Sequence, residues 1–161
     1  PEQEKIIAQP YYSSQSTYPP RYYQRIAINR TLDAIARGQN RILLVMATGT
    51  GKTYTAFQIV YRLLKSGMKK KILYLADRNN LVDQSIQQDF APREKVIHKV
   101  NFAKDDPSTI TSYQVYFSLY QQLAGNNDDQ EEDGDNALAK LSQLFRPDFF
   151  DLIIVDECHR K

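Results

Sequence analysis

The stretch Met46-Ala47-Thr48-Gly49-Thr50-Gly51-Lys52-Thr53 constrains this chain most, because it lies between an apolar run of strand length and an amphipathic helical pattern. Upstream, Arg41-Ile42-Leu43-Leu44-Val45 has the continuous hydrophobicity of a parallel strand covered on both faces. Downstream, Ala56, Ile59, Val60, Leu63 and Leu64 recur at helical spacing, and Gly67 stands where a C-terminal cap belongs. The order strand, glycine turn, helix is therefore expected, with the chain leaving a sheet to enter the turn.

Each residue of the turn then has a physical task. Gly49 and Gly51 allow unusual dihedrals and leave main-chain N–H groups open to phosphate oxygens. The helix N-terminus adds partial positive charge. Lys52 offers an ammonium to the β- and γ-phosphates of a nucleotide, and the Thr53 hydroxyl is a ligand for Mg²⁺. Position 46 is Met, so the first glycine of the usual G-x-x-x-x-G-K-[ST] pattern is missing.

A second motif supports the first. Phe149-Phe150-Asp151-Leu152-Ile153-Ile154-Val155 reads as another apolar strand and runs directly into Asp156-Glu157-Cys158-His159. A carboxylate at the end of a neighbouring strand suits a Mg²⁺ partner in a P-loop nucleotidase, and the next carboxylate can polarise an attacking water. Both motifs are expected at the C-terminal edge of one sheet, where open α/β sheets bind ligands.

Composition narrows the rest. The 161 residues are 42% hydrophobic and 25% charged, ordinary for one globular domain. A net charge of +2 means that any nucleic-acid contact is local. One cysteine, no run of membrane-spanning length and no secretory leader fit a soluble cytoplasmic protein with no membrane partner. The chain begins at Pro1 and stops at Lys161, just past a motif, and is expected to be a piece of a longer protein.

Residues 1–20 contain Pro1, Pro10, Pro19 and Pro20 among Ser and Thr, which favours an extended linker from a preceding domain over an arm docked through its tyrosines. Arg21-Tyr22-Tyr23-Gln24 opens a helix with apolar positions Ile26, Ala27, Leu32, Ile35 and Ala36, stopped at Gly38. Gln24 carries a donor and an acceptor, the pair that reads the N6 and N7 edge of adenine; the alternative is a surface residue at a helix start.

Ile72 to Ala76 is the next strand, and Asp77-Arg78-Asn79-Asn80 leads into a helix through Leu81, Val82 and Ile86. Arg78 and Asn79 suit a nucleic-acid phosphate or a helix cap equally. Val96 to Val100 is a weak third strand, and His98 within it is assigned no chemistry. Residues 108–114 resemble a strand ending in hydroxyls, followed by a helix through Val115, Leu119 and Leu123. Thr111 and Ser112 would contact phosphate or cap that helix. Residues 125–136 form an acidic polar loop without the spacing of a calcium site, and residues 137–145 resume a helix that Pro147 ends.

In order, residues 46–53, Asp77-Arg78-Asn79-Asn80-Leu81-Val82-Asp83-Gln84, Thr111-Ser112-Tyr113-Gln114 and Asp156-Glu157-Cys158-His159 resemble motifs I, Ia, Ib and II of superfamily 2 helicases. They look closest to the motor subunit of type I restriction endonucleases, with Tyr23-Gln24 similar to its adenine-reading motif. The resemblance covers residues 21–161 and implies an α/β fold: a RecA-like P-loop domain with a mainly parallel sheet and helices on both faces, the first lobe of a motor. It implies ATP and Mg²⁺ as cofactors and double-stranded DNA as partner, within a complex that includes specificity and methyltransferase subunits. On it, Gln24, Thr48, Gly49, Thr50, Gly51, Lys52 and Thr53 bind nucleotide, and Thr53 and Asp156 hold Mg²⁺. Lys52, Asp156 and Glu157 carry catalysis, Arg78, Asn79, Thr111 and Ser112 touch DNA, and His159 couples to a second lobe.

An intact protein of this kind is an ATP-dependent translocase with endonuclease activity. Residues 1–161 alone lack the second lobe's arginines and any E-x-K nuclease signature, so they should bind nucleotide better than they turn it over. Three other classes compete: another superfamily 2 helicase or repair translocase, a P-loop small-molecule kinase, and a non-catalytic module that keeps the fold. The kinase needs an Arg-rich lid that the chain does not show.

Overall fold

The computed structural model describes residues 2–12, 19–47, 49–76, 97–99, 112–119 and 145–157. Among these, the helices belong to one unit, Pro1–Lys70, and the strands to another, Lys71–Lys161.

The first unit holds α1 (Glu2–Ala8), α2 (Tyr22–Ala36) and α3 (Lys52–Ser66). The helical period places Ile28, Leu32, Ile35 and Ala36 of α2 and Phe57, Ile59, Val60 and Leu63 of α3 in the core. Ile26, which the sequence pattern assigned to the apolar face, is 49% exposed. Glycine ends α3 as expected: Gly67 takes a φ of 76° and its N–H donates to the Leu64 carbonyl at 3.2 Å.

Two expectations fail in this unit. Residues 2–12 are not an extended linker: α1 buries Ile6 completely, and the Tyr12 ring packs edge-on against Phe57 and Tyr61 at 5.3 and 5.1 Å. Counting prolines over residues 1–20 hid a run without any, Glu2 to Ala8, made mainly of good helix formers. Residues 41–45 form no strand either; Leu43 is 72% and Val45 87% exposed. Strand structure requires a ladder partner, and among the described residues this run belongs to no sheet.

The second unit is built on a four-stranded parallel sheet of order β2-β3-β1-β4, with β1 Ile72–Ala76, β2 Ile97–Lys99, β3 Val115–Leu119 and β4 Leu152–Val155. Ile72 pairs with Val115 on one side and with Leu152 on the other. Strands β1 and β3 are buried at every position, the property of central parallel strands. Along β4 burial alternates, leaving Ile153 and Val155 exposed. A parallel sheet together with helices is the α/β make-up of a RecA-like P-loop domain.

Strand β3 corrects a third expectation, since a helix was read from Val115 onward. The four-residue spacing of Val115 and Leu119 is helical, but a continuously buried strand shows no alternation to contradict it. Over this sheet lies an aromatic cluster. Tyr116, fully buried, meets Phe145, Phe149 and Phe150 edge-on at 5.2, 5.6 and 5.5 Å. Its hydroxyl donates to the Tyr113 carbonyl at 3.1 Å, and burial pushes its pKa up to about 12. Lys71 Nζ donates to the same carbonyl, and His98 stacks on Tyr113 at 4.6 Å.

Candidate functional site

The glycine turn is held from both ends. Thr50 closes it locally, its N–H and hydroxyl both donating to the Ala47 carbonyl at 3.3 and 2.5 Å. Gly49 and Gly51 take φ values of 77° and 76°, the left-handed region that L side chains disfavour. Gly51 caps α3, and its carbonyl accepts from the Thr55 N–H at 2.9 Å and the Thr55 hydroxyl at 3.0 Å. Lys52 and Thr53 follow as the first residues of α3, both half-buried. Thr48 lies outside the described residues.

Gln24 is joined to this turn. It is 7% exposed; its Nε2 donates to the Thr50 carbonyl at 2.9 Å, and its Oε1 accepts from the Arg21 N–H at 2.8 Å. Its amide thus ties the start of α2 to the turn. A Cβ on Gly51 would come within 2.5 Å of Gln24 Nε2, so a side chain there would displace that amide as well as strain the left-handed backbone. An open cleft of about 580 Å³ runs beside the turn, lined by Tyr23, Ile26, Arg30, Leu43, Met46 and Thr50 among others.

The second unit carries the paired acids. Parallel pairing of β4 with β1 brings Val155 level with Leu75, and the Asp156 N–H donates to the Leu75 carbonyl at 2.9 Å. Asp156 therefore emerges at the C-terminal end of its strand, the ligand-binding edge of open α/β sheets. The Tyr74 hydroxyl donates to Asp156 Oδ2 at 3.3 Å. Glu157 has a φ of 53°, unusual for a residue with a side chain. Ser112 is exposed and precedes β3, which puts it at the N-terminal edge of the same sheet, opposite Asp156. Arg78, Asn79, Thr111, His159 and the acidic residues 126–136 lie outside the described residues.

Three contributors escape a reading by motif: Tyr74, Gln58 and Arg62. Gln58 and Arg62 are buried at 0% and 4% exposure on α3, four residues apart and in step with Tyr54. Polar residues at helical spacing inside an apolar stripe were the available signal.

The turn fits a phosphate group. It offers left-handed glycines, a helix N-terminus, and a lysine and a threonine in the first turn of that helix. Among the described residues no group of three or more His, Cys, Asp or Glu could hold a metal ion. No helix among the described residues is long and apolar enough to cross a membrane.

Comparison with known proteins gives related sequences. The pattern of the family described as type III restriction enzyme, res subunit, matches residues 17–161. The EcoAI type I restriction enzyme endonuclease subunit of Escherichia coli is 52% identical over 155 residues, 96% of this chain and 18% of that protein. The EcoKI endonuclease subunit of E. coli K12 is 50% identical over 66 residues, 41% of this chain and 6% of that protein. UvrABC system protein B of Bacillus cereus is 32% identical over 89 residues, 54% of this chain and 13% of its own. The chain thus spans less than a fifth of the length of these relatives. No solved structure matches at the same stringency.

Proposed function

The chain belongs to the type III restriction enzyme res-subunit family, and on that footing we propose that residues 21–161 are the ATP-binding first lobe of a DNA translocase, within the motor subunit of a type I restriction enzyme. The observation that carries this reading is the left-handed glycine turn that caps α3 and is bonded through the Thr50 carbonyl to Gln24.

Lys52 and the turn N–H groups would bind the β- and γ-phosphates of ATP, and Gln24, beyond its hold on Thr50, would present its remaining N–H and lone pair to adenine. Thr53 and Asp156 would hold Mg²⁺, which supplies charge neutralisation when bound. Glu157 orients the attacking water, and Tyr74 fixes the rotamer of Asp156. Positioning and electrostatics then account for most of the rate, as phosphoryl transfer demands.

The partner is double-stranded DNA, with specificity and methyltransferase subunits completing the complex and endonuclease activity belonging to the intact protein. Arg78, Asn79, Thr111 and Ser112 are proposed contacts to the DNA backbone, which carry no sequence information and so suit movement along any duplex. His159 is proposed to couple to a second lobe. The second reading is another superfamily 2 DNA helicase or repair translocase, since sequence similarity extends beyond restriction enzymes to UvrABC system protein B.

Lys52→Ala in the full-length protein tests the nucleotide site. ATP turnover should fall at least about 100-fold, the scale of losing one charged donor to the reacting phosphates. Undiminished turnover and ATP affinity in that variant would overturn the assignment. DNA stimulation of the wild-type ATPase separates the readings further: a restriction motor requires its specificity partner for stimulation at a recognition sequence, whereas a repair translocase does not.

A further inference from the structure

Polar side chains on the buried face of α3 connect residues 2–12 to the phosphate turn. Tyr54, Gln58 and Arg62 follow one another at four-residue spacing, so they share a face of the helix. Gln58 accepts from the Tyr12 N–H at 2.8 Å and donates to the Tyr12 carbonyl and the Tyr54 hydroxyl, each at 3.1 Å. One carboxamide thus satisfies both main-chain groups of Tyr12, as a neighbouring strand would, and reaches into the first turn of α3 directly behind Thr53.

Arg62 repeats the pattern one turn further on. Its Nη2 donates to the carbonyls of Ile6 and Ile7 at 3.3 and 3.0 Å, near the negative end of α1. Its Nη1 donates to Asn29 Oδ1 on α2 at 2.9 Å, which also accepts from the Tyr11 hydroxyl at 2.5 Å. The guanidinium lies over the Tyr11 ring at 4.8 Å, and its Nε has no hydrogen-bond partner among the described residues. Residues 2–12 are therefore bonded to both α2 and α3, and those helices are joined again at the turn through Gln24 and Thr50.

Apolar side chains could hold such a segment in place with less desolvation cost. A buried polar network does something different: it specifies one register and rigidifies the parts it joins, here with Arg62 Nε as the one buried side-chain nitrogen left unbonded among the described residues. Resting on the nucleotide reading above, we propose that residues 2–12 form a clasp that sets the phosphate turn, with Gln58 and Arg62 as positioning residues, so that clasp closure and nucleotide binding favour one another. Because coupling of this kind is reciprocal, bound nucleotide must protect the clasp to the degree that the clasp aids binding.

Hydrogen exchange of the full-length protein tests this, with and without a saturating non-hydrolysable ATP analogue and Mg²⁺, binding being followed separately by calorimetry. Exchange in residues 2–12, Tyr12 above all, should slow about five-fold or more, the lower end of ordinary coupling between sites. The start of β1, where the Ile72 N–H donates to the Gln114 carbonyl, should be unchanged and serves as control. Binding with no slowing, or with equal slowing at both places, overturns the clasp and leaves the nucleotide site standing. An absence of binding heat overturns the nucleotide site and the clasp with it. Gln58→Leu should abolish the protection and raise the analogue's Kd about five-fold; should that variant not fold, Arg62→Met takes its place. A folded variant that is less stable yet keeps the wild-type Kd also overturns the proposal.

Discussion

Residues 41–45, Arg-Ile-Leu-Leu-Val, and residues 72–76, Ile-Leu-Tyr-Leu-Ala, are both mainly apolar runs of strand length, yet they end in opposite states. The second is β1, paired on both sides and buried at all five positions. The first has no regular structure, with Leu43 72% exposed. Hydrophobicity qualified both to be central strands; hydrogen-bonded neighbours on either side made only one of them so.

The sharpest way to break this comparison is to truncate matched leucines. Leu73→Ala in β1 should cost about 2–5 kcal/mol, the usual loss for a buried leucine, whereas Leu43→Ala should stay within about 0.5 kcal/mol, as at exposed positions. Urea unfolding of the two variants measures both, and equal costs would mean that residues 41–45 are as buried as β1.

A matched pair of glycines extends the contrast between a crowded site and an open one. Gly49 and Gly51 share one dihedral, but a Cβ on Gly49 meets nothing within 4 Å, while on Gly51 it meets Gln24. Gly49→Ala should cost about 1 kcal/mol from the left-handed backbone alone. Gly51→Ala should cost about 2–3 kcal/mol once the displaced Gln24 is included. Identical losses, by thermal unfolding, would remove Gln24 from its assigned place.

The smallest effects lie within the sheet itself. Tyr74→Phe forfeits one hydrogen bond to Asp156 and should cost about 0.5–1.5 kcal/mol, read by urea unfolding at neutral pH. Tyr116 distinguishes its surroundings by pH. Its folded-state pKa of about 12 exceeds the ordinary 10.0, so the folded state keeps a proton that the unfolded state has lost. Its stabilising contribution is complete below pH 10 and disappears as pH rises from 10 to 12. Wild-type stability should fall more steeply over that interval than that of Tyr116→Phe, and parallel curves would count against a desolvated hydroxyl.

Much of the fold was legible in the chain. Helices α2 and α3 begin and end close to where periodicity and Gly38 and Gly67 put them, and β1 spans the predicted residues. Those elements carry their signal locally, in side-chain period and capping. Strand β3 and residues 41–45 were misread because an uninterrupted apolar run is common to buried strands and buried helices, and because pairing is not written in any one segment. Of the candidate site, the turn was evident from Gly49, Gly51, Lys52 and Thr53. The hold of Gln24 on Thr50 and of Tyr74 on Asp156 joins residues 26 and 82 positions apart, which no local pattern reveals.

The order of residues by itself determined the chemistry available to this protein: a glycine turn followed by lysine and threonine at a helix start, and two acids following an apolar strand. Dihedral freedom and charge are properties of residue types, so they travel with the sequence. Tertiary structure alone decided which apolar run became a central strand, that residues 2–12 dock on α3, and that Gln24 and Gln58 turn inward. Each of those outcomes depends on a partner distant in the chain, whose hydrogen bonds and excluded water exist only once the two are brought together.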